Sequence, residues 1–295
     1  MTPATVDGLL LVDKPAGVTS HDVVGAARRA LSERRIGHAG TLDPFATGLL
    51  VLLVGRATRL LPHLPGEPKV YEALIRFGTE TDTEDLLGAI TREAPPPARE
   101  ALMDALPSLT GAIDQVPPAY SAKRVDGTRA YKRARAGEEV ILAPVQVQVH
   151  RWEVLGLTPA ATGDGIASAR VRVTCGGGTY VRALARDLAR AAGSAAHLVE
   201  LRRMRSGAFD VRDALTLEDL RDGRAVLRPA LDALTGFPRE GLDAEAVARV
   251  VRGIDVAATV PGAWAALVHT DRDVLVALAE RDADRWRPRV VMHEA

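Results

Sequence analysis

Gly37-His38-Ala39-Gly40-Thr41-Leu42-Asp43-Pro44-Phe45-Ala46-Thr47-Gly48 stands directly before the apolar run Leu49-Leu50-Val51-Leu52-Leu53-Val54. Three glycines and an Asp-Pro pair disfavour both helix and central strand, so residues 37–48 are predicted to be a loop. The run behind it is short, apolar and partly β-branched, which predicts a buried strand. A carboxylate on a loop tied to such a strand is held rigidly while it faces a cleft. Most Asp-Pro pairs only close a turn, with the Asp bonding its own backbone. Residue chemistry alone therefore leaves Asp43 as a turn residue or a catalytic acid.

Upstream, residues 8–12 read as a strand and 13–20 as a turn-rich loop. Residues 21–31 read as a helix with Ser20 as its N-cap, Asp22 in its first turn and Arg28 and Arg29 late. Downstream, residues 55–61 predict a short helix ending near Pro62. Residues 69–78 alternate as a strand, and 80–85 are polar and turn-like. Tyr71 on that strand reads first as a core aromatic. Ala94-Pro95-Pro96-Pro97 is a surface break before an amphipathic helix over 98–109. Residues 145–150 and 169–174 alternate cleanly and continue a sheet.

The charge total is neutral, with Lys plus Arg equal to Asp plus Glu at 38 each. Any nucleic-acid site must then come from segregated charge. Lys123 to Arg135 holds six basic residues and one acid, with Tyr120 and Tyr131 close by. Composition alone reads such a run equally as a solvated face. Leu201-Arg202-Arg203-Met204-Arg205 is a second basic cluster. Gly176-Gly177-Gly178 precedes a helix and could cradle a phosphate. No G-x-x-x-x-G-K-[ST] or G-x-G-x-x-G accompanies it, so a nucleotide site is not indicated. Cys175 is the one cysteine of 295 residues, so no intrachain disulfide forms and a reducing compartment fits. No feature beside it marks an activated thiol. No apolar run approaches a membrane span, and no signal-peptide pattern opens the chain.

The loop GHAGTLDPFATGLL resembles the catalytic loop of the TruB family, the tRNA pseudouridine synthases that act on the TΨC loop. Every fixed position of G-H-x-G-x-L-D-P-x-A-x-G is present. The resemblance gives Asp43 the essential catalytic role and places His38 in the same pocket loop. Five further motifs match along the chain. Lys14-Pro15-Ala16-Gly17-Val18-Thr19-Ser20 matches a loop that braces the catalytic one, and Lys14 is also grouped with the RNA-binding residues. Tyr71, Ala73, Gly78, Thr81 and Asp82 match the strand whose Tyr stacks on the flipped uracil. Residues 115–137 match the insertion that grips the RNA stem-loop, which implies RNA contacts by Lys123, Arg124, Lys132 and Arg133. Arg124 stands where the family usually has Lys, and the two side chains differ in geometry. Gly178-Thr179-Tyr180-Val181-Arg182 and Leu201-Arg202-Arg203 match the pocket motifs. In them Tyr180 lines the site, Arg182 pairs with the catalytic Asp, Leu201 is a pocket wall, and Arg202 and Arg203 contact RNA. A bidentate guanidinium would keep a cleft carboxylate ionised and oriented. Gly177 replaces the family's usual Lys.

These readings predict an α+β fold: a mixed, largely antiparallel sheet with flanking helices and a central cleft. They place a catalytic domain at 1–235, with the RNA-gripping insertion at about 119–143. A small β-rich domain follows at 236–295, PUA-like by resemblance, which would contact the tRNA acceptor arm. It holds a helix over 244–252, a hairpin over 264–279 and a strand over 286–292. The expected reaction converts the TΨC-loop uridine, position 55 of tRNA, to pseudouridine. The base is flipped out, Asp43 promotes glycosidic cleavage, the uracil turns, and C5 rejoins C1′. Asp43 could attack C1′ or remove a sugar proton. The expected partner is tRNA, with no cofactor, metal, membrane, guide RNA or protein partner, for a monomer in the cytoplasm. The rival readings are an N-glycoside hydrolase releasing free uracil, a non-catalytic RNA-folding factor and a guide-RNA-dependent relative.

Overall fold

The computed structural model describes residues 7–121, 123–125, 128–161 and 163–292. The chain divides into two compact units, one of residues 1–66 with 207–295 and one of residues 67–206.

In the first unit the Gly8–Lys14 strand runs antiparallel to Thr47–Val54, with Gly8 opposite Val54 and Lys14 opposite Gly48. Leu215–Thr216 adds a short parallel strand at the outer edge. Every residue from Gly48 to Val54 is buried, which is why this run carries no polar alternation. The Ser20–Leu31 helix packs Val23, Val24, Ala26 and Ala27 on Leu10, Val12, Leu50 and Leu52 of those strands. That helix begins one residue earlier than its sequence suggests. Thr19 is the N-cap, accepting from the Asp22 N–H at 3.1 Å while the Asp22 carboxylate accepts from the Thr19 N–H at 2.8 Å. The reciprocal pair satisfies two orphan donors, so Thr19 outcompetes Ser20 for the cap and frees the Ser20 hydroxyl for other use.

The same unit carries a five-stranded sheet, ordered Arg239–Leu242, Trp264–His269, Val274–Asp282, Arg285–Val291, Val256–Ala257. The expected hairpin is its centre, and the expected last strand and the Ala244–Val251 helix are present. Trp286 is fully buried there, and its indole N–H donates to Glu240 at 2.8 Å. Burial works against the Glu240 charge. Hydrogen bonds from Thr259, Trp286 and Val260 outweigh it and hold the carboxyl below its ordinary range.

The second unit is an antiparallel sheet ordered Ala196–Ser206, Lys69–Phe77, Ile166–Cys175, Val145–Pro159, Gly111–Gln115. The Val181–Ala191 helix packs against its Ala196–Ser206 strand and buries Leu184, Ala185 and Leu188. Residues 79–93 leave the sheet as a small hairpin of Thr79–Thr81 and Ile90–Glu93. Within the insertion, Arg124–Val125 pairs with Thr128–Arg129 and leads into the Ala130–Arg135 helix. The architecture is α+β and largely antiparallel, as the strand patterns predicted. Among the described residues, no helix is long and apolar enough to cross a membrane.

Candidate active site

The predicted loop is shorter than its sequence suggests. Ile36–Ala39 pairs with Thr47–Val54, so Gly37 and His38 belong to a strand, with His38 opposite Leu52. Glycine did not break this strand because it lies at a sheet edge with its partner fully buried. The loop proper is 40–46, bounded by Gly40 at φ +86° and Gly48 at φ +101°, a backbone region closed to most side chains.

Asp43 sits half-buried within that loop, and its carbonyl accepts from the Ala46 N–H at 3.1 Å, closing a turn. Both neighbours are pinned. Leu42 exchanges two hydrogen bonds with Ser20: its N–H donates to Oγ at 2.9 Å, and Oγ donates to its carbonyl at 3.2 Å. The Pro44 carbonyl accepts from the Gly17 N–H at 2.8 Å and from Lys14 Nζ at 3.3 Å. Leu42, Phe45 and Ala46 are buried, so the loop is anchored by packing as well. Asp43 is thereby both the turn residue and a rigidly presented carboxylate.

Lys14 differs from its grouping with RNA contacts. It is 0% exposed, and its ammonium donates to the carbonyls of Pro15, Val18 and Pro44. A cation enclosed by three carbonyls braces the loop and cannot also reach a phosphate from the surface. Ser20 and Gly17, both fixed positions of the matched Lys14–Ser20 motif, make the other bonds to the 40–46 loop.

In the second unit, Tyr71 lies opposite Val173 on one neighbouring strand and Arg203 on the other, and Ala73 lies opposite Leu201. Directly opposed residues share a sheet face, so Tyr71, Leu201 and Arg203 form one cluster. Tyr71 is 7% exposed and Leu201 is buried with it. Arg203 is 1% exposed, which places it in this cluster and not on a surface that meets RNA. Its neighbour Arg202 alternates to the opposite face, where it is half-buried opposite Glu72. Lys69, two residues before Tyr71, has its proton affinity lowered by burial and by the nearby Arg203 charge, with Glu67 opposing.

Arg182 is buried, not a surface helix residue. Its Nη1 donates to the Thr83 carbonyl at 2.6 Å and its Nη2 to the Tyr120 carbonyl at 3.0 Å. Tyr180 caps the helix start. Its N–H and carbonyl are both held by the buried Gln115 side chain, at 2.8 and 3.1 Å. The Gly177 N–H donates to Glu67 at 2.6 Å, and a Cβ at that glycine would lie 2.3 Å from the same carboxylate oxygen. Glu67 therefore occupies the space a side chain at 177 would need. Burial pushes the Cys175 thiol up to about 11, so it is protonated at neutral pH and no nucleophile.

In the basic insertion Lys123 and Lys132 are exposed. Arg133 is half-buried and bonds Glu138 at 2.7 Å. The side chain of Arg124 and the acid Asp126 lie outside the described residues.

Two family models match the chain. Residues 28–181 match the TruB family pseudouridylate synthase N-terminal domain, and 182–257 match the tRNA pseudouridylate synthase B C-terminal domain. A tRNA pseudouridine synthase B of Thermobifida fusca is 46% identical over 97% of this chain and 98% of its own length. One of Mycobacteroides abscessus is 45% identical over 99% and 98%. A solved structure of an H/ACA RNP bound to a substrate RNA containing 2'-deoxyuridine is similar at a TM-score of 0.71. It is 25% identical, over 97% of this chain and 85% of that one.

Proposed function

Because the chain belongs to the TruB family of pseudouridylate synthases, we propose that its substrate is the uridine of the tRNA TΨC loop. The family makes it an isomerase that forms pseudouridine. The observation that carries the catalytic reading is the pinned Asp43 turn, held on both flanks by residues of the Lys14–Ser20 loop.

In this reading the target base leaves its stack and lies against Tyr71, with Leu201 as an apolar wall. Every base offers a face to an aromatic ring, and the extruded uracil needs such a partner. Asp43 promotes cleavage of the N1–C1′ bond, by attack on C1′ or by removal of a sugar proton. Arg182 is its ionic partner by family resemblance, and Tyr180 and His38 complete the pocket. The turned uracil rejoins through C5, whose proton leaves as the C5–C1′ bond forms while N1, freed from C1′, ends protonated, so no base is lost and none is released. The 119–143 insertion grips the stem-loop, and residues 236–295 serve as the PUA-like module against the acceptor arm. The chain is read as acting without guide RNA. In a competition between isolated TΨC and anticodon arms, the purified chain is expected to modify the TΨC arm alone. Equal modification of both arms would remove the loop assignment.

A neutral protein that grips RNA through local clusters should still bind with a steep salt dependence. Each phosphate neutralised contributes roughly −0.7 to −0.9 to the slope of log affinity against log salt. Replacing Lys123, Arg124, Lys132 and Arg133 by neutral residues is expected to flatten that slope and weaken many RNAs alike. Single-turnover rates at saturating enzyme should change little, since these groups position the stem and do not touch the base. An unchanged slope would make the insertion a solvated face.

A further inference from the structure

The Val181–Ala191 helix carries Arg182, Arg186 and Arg190 at four-residue spacing, which sets them along one face. Like charges so placed repel, yet each guanidinium is taken up by a segment distant in sequence. Arg182 holds the carbonyls of Thr83 and Tyr120. Arg186 donates to the Glu84 carboxylate, to the Val116 carbonyl at 2.9 Å and to Asp187 at 2.8 Å. Arg190 grips Glu80 with two bonds, at 2.9 and 2.6 Å. Residues 80–84 and 116–120 are thus fastened side by side to one helix. The second segment leads into the basic insertion.

Glu84 is the unusual member. It is 8% exposed, and its backbone is left-handed at φ +59°. One of its carboxylate oxygens, Oε2, is buried without a hydrogen-bond partner among the described residues. Burial raises its affinity for a proton, while the Arg186 and Arg182 charges lower it. A side chain kept at that cost is held by its surroundings and in turn holds them. Thr83, whose carbonyl fixes Arg182, is its immediate neighbour.

We propose that Glu84 and Arg186 are a positioning pair for the isomerisation, setting Arg182 through the Thr83 carbonyl and tying the pocket to residues 116–120. This rests on the reading of Arg182 as the partner of Asp43. Neither residue touches the base; both act through Arg182.

The test is the single-turnover rate of pseudouridine formation at saturating enzyme, beside tRNA affinity and melting temperature. Glu84→Gln keeps the shape and removes the charge. It is expected to lower the rate on the order of tenfold to a hundredfold, the scale at which slight misplacement of a reacting group is felt. Affinity should stay within about twofold, because uniform binding is untouched. Glu84→Gln with Arg186→Met should lose no more than the worse single change, as expected for residues acting as a unit. Arg186→Lys keeps the ion pair but cannot also reach Val116, and it should fall between Glu84→Gln and the unaltered chain. Glu80→Gln breaks the outer rung of the same ladder and should lower the melting temperature without changing the rate.

Normal rates for Glu84→Gln and Arg186→Lys, at a temperature where both are folded, would overturn the proposal. An equal rate loss in Glu80→Gln would overturn it as well, since any damaged rung would then suffice. Should Glu84→Gln fail to fold, the Arg186→Lys rate decides alone. Asp43→Asn in the same assay separates the two claims. If that variant is inactive and Glu84→Gln is normal, only the positioning pair fails. If Asp43→Asn is active, the underlying reading fails.

Discussion

Asp43→Asn is expected to abolish turnover while the protein still folds and binds tRNA close to normally. Asn keeps the size and the turn. The Ala46 N–H bond to the Asp43 carbonyl and the bonds made by Leu42 and Pro44 all run through groups that the substitution keeps. What is lost is a negative oxygen able to attack a carbon or take a proton. Removal of such a group from a preorganised site costs on the order of 10⁴-fold or more. Nucleoside analysis of a treated transcript reads the result. Retained pseudouridine at a rate within tenfold of the unaltered chain would remove Asp43 from the chemistry. A collapse of the melting temperature would instead make it a structural turn residue.

Tyr71 carries the second large effect. Its ring is nearly enclosed and shares a face with Leu201 and Arg203. Tyr71→Phe preserves the ring, so tRNA affinity should stay near normal. Any fall in its rate then reports the hydroxyl. Tyr71→Ala removes the platform for the base, a loss of about 1–3 kcal/mol for one stacked base. It also opens a cavity costing about 3–5 kcal/mol of stability, so activity must be read well below the melting temperature. Activity of Tyr71→Ala should fall by at least about a hundredfold, far more than Tyr71→Phe loses in affinity. Small, equal effects of both would return Tyr71 to the core.

Local chemistry made much of this legible. The short, partly β-branched apolar run after a Gly-rich, Asp-Pro loop reads as a buried strand, and Thr47–Val54 is one. The alternation of 69–78 placed Tyr71 on an inward face. The helix cap lies one position before the one its sequence predicts, because Thr19 and Ser20 are both good caps. Only the reciprocal geometry with Asp22 decides between them. The burial of Lys14 and Arg203 ran against the usual exposure of such residues. Lys14 is enclosed by carbonyls, one of them from a loop thirty residues away, and spacing does not encode that. The four-residue spacing of Arg182, Arg186 and Arg190 was visible. Their partners lie near residues 80–84 and 116–120, so the ladder exists only once the sheet has formed. The Glu67 carboxylate beside Gly177 is legible for the same reason only in three dimensions.

The most direct test takes an unmodified tRNA transcript, the purified chain alone and no added cofactor or guide RNA. Position-resolved mapping of pseudouridine is combined with assay of free uracil. The expected result is one new pseudouridine, at the TΨC-loop uridine, no free uracil, and no product with Asp43→Asn. Pseudouridine at other positions only, release of uracil, or undiminished product from Asp43→Asn would contradict it.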